Sequence, residues 1–223
     1  MLSKLLYEAG RIIIGTYARL MLKMDVHWNE TLPKGPVLYA ANHPSTTDPI
    51  YIHLISKHPL SVMIHSKVFS IPVLGTYMRK MQQIEVIRDK GQSEQVLKQA
   101  VRALAAGRSV VIFPEGDISP ANGFAPVHSG VARLALQSGV PVIPIGIHLQ
   151  DENCRRISTT LEGEPDVITW YLRGPYAITV GRPLHFQGDE NDRPLVKTIA
   201  ENVMEQIRIL AGESKLRMQM REL

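Results

Sequence analysis

The stretch PVLYAANHPSTTDPI, residues 36–50, decides the fold and contains a candidate site. Its first part is an apolar run that predicts a buried β-strand over 36–43. A polar turn follows, and then Asp48 and Pro49 suit the cap and the first position of a helix over 48–56. A strand that leads through a polar turn into a helix is the repeating unit of α/β proteins.

The same alternation of strands and helices continues along the chain. Further strands are predicted over 60–66, 83–88, 109–116, 140–149 and within 177–186, and further helices over 93–107, 130–139 and 192–212. A short helical stretch is predicted over 69–81, broken by Pro72 and Gly75. The polar segment 150–166 is predicted to be a loop. This order of elements predicts an α/β fold with a largely parallel sheet flanked by helices.

Composition predicts one packed domain with short additions at both ends. The chain has 223 residues, and its 44% hydrophobic content is sufficient for a core and argues against disorder. We expect a helical segment over 1–30, an α/β domain over 31–212 and a charged tail over 213–223. The net charge of +4 favours anionic partners. A single cysteine, Cys154, excludes an internal disulfide and makes the cytosolic side the default.

Residues 2–24 have the pattern of an amphipathic helix that docks on a membrane. Apolar side chains recur at steps of three and four residues, and four of the five charged residues in the segment are basic. The alternative is an ordinary surface helix packed on the domain. No run approaches the roughly 20 apolar residues of a spanning helix. The expectation is therefore a peripheral, monotopic protein on the cytoplasmic face of a membrane.

Two polar turns follow two of the most apolar predicted strands. NHPSTTD, residues 42–48, follows VLYAA, and PEGDIS, residues 114–119, follows SVVIF. Because sites in open α/β sheets lie at the carboxyl ends of strands, both turns are site candidates.

His43 and Asp48 could form a catalytic dyad in the first of these turns. On a continuous helix their five-residue offset would separate them by about 140°. A compact turn that contains Pro44 can instead fold the Asp48 carboxylate onto the imidazole, which leaves the other ring nitrogen as a base. The chain contains no Gly-x-Ser-x-Gly sequence, so the hydroxyl to be activated would belong to a substrate. The simpler alternatives are a loop histidine and a helix cap.

Four stretches together resemble the glycerolipid acyltransferases, the family of bacterial 1-acyl-glycerol-3-phosphate acyltransferase. They are NHPSTTD (42–48), VLGTYMRKMQQIEVIR (73–88), FPEGDIS (113–119) and VPVIPIGI (140–147). The first block alone is moderately specific. Four blocks in the order of the family, within residues 36–147, make the resemblance strong.

This resemblance implies a mechanism and a set of partners. His43 would be the general base, supported by Asp48, and the donor would be acyl-CoA or an acyl-carrier protein. The acceptor would be a lysophospholipid, first of all 1-acyl-glycerol-3-phosphate, and no cofactor is implied. Backbone amides of the turns 43–48 or 115–117 would stabilise the oxyanion. An N-terminal pair of helices would dock on the membrane.

The resemblance also implies substrate-binding residues. Arg88 matches a phosphate-binding arginine at the end of the second block. Glu115 and Gly116 match residues that help to bind the acceptor, and Gly116 would let the backbone approach the ligand closely. Asn42, beside the base, is placed with them and is also expected to order the turn.

The third block departs from the usual F-P-E-G-T-R-S of the family. Asp117 stands in place of the threonine and Ile118 in place of the arginine, so one expected phosphate ligand is missing. Arg79 or Lys80 could compensate beside Arg88, which would keep lysophosphatidate as the acceptor. Otherwise the acceptor is a different lysolipid or lipid alcohol.

Three other functions are less consistent with the sequence. The ligand-type residues His148, Asp151, Glu152 and Cys154 lack the spacing of a structural zinc site, so no metal is expected. No basic stripe with interleaved aromatic residues points to nucleic acid. A non-catalytic lipid-binding module stays open as an alternative, although it would have no reason to keep both His43 and Asp48.

Overall fold

A computed structural model describes residues 2–56, 58–87, 92–121, 123–161 and 164–221. Seven strands form one sheet in the order β1-β9-β6-β2-β5-β3-β4, and β7 and β8 form a separate hairpin. The strands are β1 (Leu22–Trp28), β2 (Leu38–Ala41), β3 (Leu60–His65), β4 (Ile84–Val86), β5 (Ser109–Ile112), β6 (Val142–Leu149), β7 (Cys154–Leu161), β8 (Glu164–Tyr171) and β9 (Gly174–Val180). The α-helices are α1 (Leu2–Met21), α2 (Asp48–Tyr51), α3 (Ser66–Ser70), α4 (Leu74–Lys80), α5 (Ser93–Ala105), α6 (Gly130–Ser138) and α7 (Arg193–Met220), and Ile52–Ile55 and Asp151–Asn153 are short 3₁₀ turns.

The sheet is mostly parallel, which confirms the predicted fold class. All neighbouring strands in it pair in parallel except β6 and β9, which pair antiparallel. Thus β1 and β9 run opposite to the other five strands. The short Val- and Ile-rich runs suit strands that are covered on both faces.

Alternate residues of the central strands pack into two apolar cores, one on each face of the sheet. Tyr39 and Ala41 of β2 belong to the core that includes Ala18 of α1. Leu38 and Ala40 belong to the core formed with α5, α6 and α7. Both faces of the sheet are therefore covered by helices, and its carboxyl edge is left for the site.

The N-terminal segment differs from the expectation of a helix over 1–30 and from the implied pair of helices. Within residues 2–28 there is one helix, α1, and residues 22–28 form the edge strand β1, paired in parallel with β9. The sequence LKMDVHW alternates apolar and polar side chains, a period of two that belongs to a strand rather than to a helix.

The predicted loop over 150–166 is also wrong, because most of it belongs to the hairpin β7–β8. At the other end, α7 continues to Met220 instead of ending near residue 212. Ser214 and Met218 are buried in this extension, so the expected tail is in large part a packed helix.

The helical stretch predicted over 69–81 is divided into α3 and α4 by the segment 71–73, which contains Pro72, whereas Gly75 lies within α4. The helix that begins near Asp48 has only one α-helical turn before it tightens into 3₁₀ geometry. Its N-cap is Thr47, so the expectation that Asp48 caps the helix is wrong. Among the described residues, no helix is both long enough and apolar enough to cross a membrane.

Candidate active site

Two turns meet at the carboxyl edge of the sheet because the strands that precede them are neighbours. Strands β2 and β5 pair in parallel, with Ala40 opposite Ile112. The chain therefore leaves both strands at the same level, and the turns 42–48 and 113–119 lie side by side. The sequence placed both turns at this edge, and the structure brings them into contact.

The first turn folds the Asp48 carboxylate back onto His43. The distance between His43 Nδ1 and Asp48 Oδ2 is 3.0 Å. The Ser45 amide donates to the same oxygen at 2.8 Å, and the Tyr176 hydroxyl donates to Oδ1 at 2.7 Å. Asp48 is fully buried. A buried carboxylate held by three groups from two parts of the chain has one fixed orientation.

The position of Asp48 determines which nitrogen of His43 is available for chemistry. A carboxylate beside Nδ1 favours the tautomer with the proton on Nδ1, so Nε2 has the free lone pair. The imidazole stacks on Phe113, with 4.2 Å between ring centroids and 19° between planes. The side chain of His43 is 15% exposed, enough to meet a substrate.

Glu115 links the turns 42–48 and 113–119 through hydrogen bonds. Its Oε1 accepts hydrogen bonds from the His43 amide at 3.2 Å and from the Ser119 hydroxyl at 2.6 Å, and its Oε2 accepts from the Ala125 amide at 2.5 Å. The Ser119 amide donates in return to His43 O at 2.8 Å. The carboxylate is buried, so its observed contacts are structural, and the predicted contact of Glu115 with substrate stays a prediction.

Gly116 is required by the backbone of the second turn. Its φ of +70° lies in the left-handed region, and a Cβ atom would lie 2.8 Å from His128 Cδ2. The group that approaches Gly116 closely is therefore the ring of His128. Contact between Gly116 and a ligand stays a prediction.

Asn42 extends the pairing of β2 with β6 through its side chain. Its Nδ2 donates to Ile147 O at 2.9 Å, and its Oδ1 accepts from the Ile147 amide at 2.7 Å. The amide of this buried side chain is thus engaged with backbone, which supports the expected role in ordering the turn. The assignment of Asn42 to substrate binding stays a prediction.

The β7–β8 hairpin supports the catalytic turn from the other side. The Thr46 amide and the Ser45 hydroxyl both donate to Thr169 O, at 2.8 and 3.0 Å. The Thr47 hydroxyl donates to Tyr171 O at 3.2 Å. The Ser-Thr-Thr run therefore serves to dock the turn on β8, so each of its hydroxyl groups has a partner within the protein.

The structure describes only some of the residues that were expected to bind phosphate. Arg88 lies outside the described residues. Arg79 lines a cleft in which it donates to Phe69 O at 3.3 Å and pairs with Glu85 at 3.5 Å. Its role as a replacement phosphate ligand stays a prediction. Asp117 and Ile118 occupy the second turn, where the Ile118 amide donates to Asp117 Oδ1 at 2.8 Å.

The first turn has no spare amide for an oxyanion. The amides of His43, Ser45, Thr46, Thr47 and Asp48 all donate to groups of the protein, and Pro44 has no amide hydrogen. In the second turn the Gly116 amide donates to Phe113 O. Within the described part of the chain, the Glu115 amide donates no hydrogen bond to a protein group, so it is the candidate hydrogen-bond donor to the oxyanion.

Sequence reasoning missed Tyr176 and the hairpin. Tyr176 follows Asp48 by 128 residues, and nothing in its local sequence connects it with the dyad. The hairpin had a local signal, since VITWY, residues 167–171, contains five consecutive residues that favour strands. As to metals, no group of three or more His, Cys, Asp or Glu residues in the described ranges is arranged to hold an ion.

Comparisons with known proteins identify relatives of this chain. A lyso-ornithine lipid O-acyltransferase of Pseudomonas aeruginosa is 26% identical over 173 residues, which cover 75% of this chain and 66% of that protein. A chloroplastic 1-acyl-sn-glycerol-3-phosphate acyltransferase of Brassica napus is 33% identical over 126 residues, or 55% of this chain and 36% of that protein. The chain thus spans from about a third to two thirds of the length of these relatives.

The fold has a counterpart among solved structures. The 1-acyl-sn-glycerophosphate (LPA) acyltransferase PlsC of Thermotoga maritima superposes with a TM-score of 0.60 at 21% identity, over 93% of this chain and 79% of that one. Residues 23–148, more than half of the chain, match the family model named Acyltransferase. Both turns of the candidate site lie within that match, and the chain belongs to the Acyltransferase family.

Proposed function

We propose that this protein transfers a fatty acyl group from an acyl thioester to the hydroxyl of a lysolipid. The observation that carries the proposal is the buried contact between Asp48 and His43 Nδ1, which leaves Nε2 free at the carboxyl edge of the sheet. The relatives are named for acceptors of this class. The preferred acceptor is 1-acyl-glycerol-3-phosphate, which would give phosphatidate.

The proposed reaction is a direct transfer. His43 Nε2 takes the proton of the acceptor hydroxyl while its oxygen attacks the thioester carbonyl. Collapse of the tetrahedral adduct breaks the carbon–sulfur bond, and the proton passes from Nε2 to the departing thiolate. Asp48 stabilises the imidazolium that exists between these steps, and the Glu115 amide is proposed as an oxyanion donor. The reaction uses acyl-CoA or acyl-carrier protein as co-substrate and no other cofactor.

The proposed location is the cytoplasmic face of a membrane, with the protein bound peripherally. Helix α1 supports this, because it presents apolar side chains on two sides. Tyr7 and Ala18 pack into the protein, whereas Ile13 and Leu20 are 69% and 77% exposed. Helix α1 is thus packed on the domain while part of its apolar surface faces outwards, and this outer part supports the proposed contact with a membrane.

A second acceptor class is favoured by the changed third block. Asp117 puts a negative charge where a phosphate would be repelled, and Ile118 cannot bind one. An acceptor whose headgroup contains an ammonium group, such as a lyso-ornithine lipid, could instead place that group beside Asp117. The relative named for that lipid aligns over 75% of the chain.

The test is acyl transfer from a long-chain acyl-CoA, and separately from acyl-carrier protein, to a panel of acceptors read by mass spectrometry. The panel holds lysophosphatidate, lysophosphatidylcholine, lyso-ornithine lipid and monoacylglycerol, with a protein-free control. Product from lysophosphatidate supports the first acceptor, and product from lyso-ornithine lipid alone supports the second. No product from any acceptor with either donor would contradict the proposal and favour a non-catalytic lipid-binding module.

A further inference from the structure

The loop between α3 and α4 exposes apolar side chains that nothing in the fold requires at the surface. This loop, residues 71–73, and Leu74 at the start of α4 together have the sequence Ile-Pro-Val-Leu. Val73 is 84% exposed, and Ile71 and Leu74 are also exposed. Four consecutive apolar residues at the surface are unusual in a protein that meets only water, and they mark an interaction site.

The loop is held in a strained conformation. Val73 has φ +66° and ψ −53°, and the Leu74 amide donates to Pro72 O at 2.7 Å. This is a γ-turn with positive φ, a rare conformation that is a clear outlier for a β-branched residue. Strain of this kind persists where surrounding structure imposes it and is typical of functional segments. Its effect here is to hold the Val73 side chain away from the protein.

Helix α4 brings this loop next to the outer face of α1. The two helices touch where the Tyr77 hydroxyl lies against Gly10, 2.3 Å from the position that a Cβ atom would take. Val73 precedes Tyr77 by one helical turn, and Ile13 follows Gly10 by nearly one turn. Both exposed apolar groups are therefore close in sequence to the residues that join α1 and α4.

The positive charge of the chain is concentrated in the same two segments. Helix α1 contains three basic residues and one glutamate, and the segment 66–80 contains three basic residues and no acidic one. Together they carry a net charge of +5, which exceeds the +4 of the whole chain. Arg19 and Lys80, one in each segment, are exposed. An apolar surface with this charge complements an anionic lipid surface.

We propose that the α3–α4 loop and the outer face of α1 form one docking surface that enters an anionic lipid bilayer. The loop supplies the second apolar contact of that surface, and its γ-turn presents Val73 to the acyl region. A bilayer fits better than a protein partner because the apolar side chains are aliphatic and protruding, and form no pocket. The proposal deepens the proposed function, because it adds the loop to the membrane contact proposed for α1 and places the substrate in the same membrane.

Vesicle co-sedimentation of the full chain tests this surface. The vesicles contain phosphatidylglycerol, with phosphatidylcholine vesicles for comparison. The loop variant is Ile71→Ser with Val73→Ser. The matched control is Ile209→Ser with Leu216→Ser, which removes two exposed apolar side chains from α7 on the opposite face of the sheet. A third variant, Val73→Gly, relieves the positive φ while removing the side chain.

The loop variant should lose about tenfold or more in partitioning to anionic vesicles, while the control keeps the wild-type value. Val73→Gly should also bind less although its thermal midpoint rises. Equal binding by the loop variant and wild type, or equal losses in the loop variant and the control, would overturn the proposal. Loss of turnover with acyl-carrier protein but unchanged vesicle binding would assign the loop to that donor and overturn it too.

Activity on a soluble short-chain acceptor separates this proposal from the proposed function. The loop variant should turn over such an acceptor at the wild-type rate, because the loop makes no contact with His43 or Asp48. Wild-type protein that binds vesicles through the loop but acylates no acceptor would leave the docking surface intact and contradict the function.

Discussion

Removal of one buried hydroxyl group, by Tyr176→Phe, tests whether Tyr176 positions the dyad. The hydroxyl donates to Asp48 Oδ1 at 2.7 Å, and the structure shows no other donor to that oxygen among the described residues. Burial, and then the charge of Asp48, raises the pKa of Tyr176 well above 10. The phenol therefore stays protonated and able to donate at any pH used for an assay.

The expected effect follows from leaving one oxygen of a buried carboxylate without a donor. A hydrogen bond to a charged group contributes about 1.5–3 kcal/mol, so the free energy of unfolding should fall by about that amount. For a chain of this size that corresponds to roughly 3–12 °C in the thermal midpoint. Because Asp48 can then rotate away from His43 Nδ1, kcat should fall by about 10- to 100-fold with little change in KM.

The matched control is Tyr51→Phe. Tyr51 packs edge-on against Tyr176, at 5.4 Å between ring centroids, but its hydroxyl donates to Tyr171 O at 3.1 Å and not to Asp48. This variant should lose about 0.5–1.5 kcal/mol and keep most of its kcat. Chemical unfolding measures the loss of stability in both variants, and steady-state kinetics measures their kcat and KM. Wild-type kcat in Tyr176→Phe, or an equal loss in Tyr51→Phe, would refute the positioning role.

Two further predictions concern the second turn and the response to acid. Gly116→Ala should lower the free energy of unfolding by about 1–3 kcal/mol and reduce kcat. Gly107 also has a positive φ but has open space around it, so Gly107→Ala should lower stability and leave kcat unchanged. Equal kcat values for the two variants would contradict this. Burial, with a smaller effect of Arg108, lowers the pKa of His53 from 6.5 to about 4. As the pH falls, His53 of the unfolded chain therefore binds a proton before His53 of the folded chain does. The free energy of unfolding should thus be highest above about pH 6.5 and should decrease towards pH 4 by at most about 3 kcal/mol. His53→Gln should flatten that slope in urea unfolding, and an unchanged slope would exclude His53 as its source.

The sequence was sufficient for the parts of the fold that rest on local patterns. Short apolar runs such as SVVIF predict buried strands, and the polar turns that follow β2 and β5 predict a site at their common edge. The dyad also came from local sequence, because Pro44 and the short polar residues after it make a compact turn possible. Where the pattern was mixed, as in LKMDVHW over 22–28, a strand was taken for the end of a helix.

The supporting contacts could not be derived, since they join segments far apart in the chain. Tyr176 reaches Asp48 only because β9 lies beside β6 in the sheet, with β2 next to β6 on its other side. The same holds for Thr169, which docks the first turn from a hairpin that was predicted to be a loop. Residue types identify acids and bases, but tertiary pairing decides which groups fix their orientation.

Turnover of His43→Ala tests directly whether His43 is the general base. The measurement is product formation by wild-type and variant protein with the best donor and acceptor of the panel, together with their thermal midpoints. We expect a loss of about 10³-fold or more in kcat with a folded variant, because no other described side chain supplies a base beside Asp48. Turnover within tenfold of wild type would contradict the assignment of His43 as the general base.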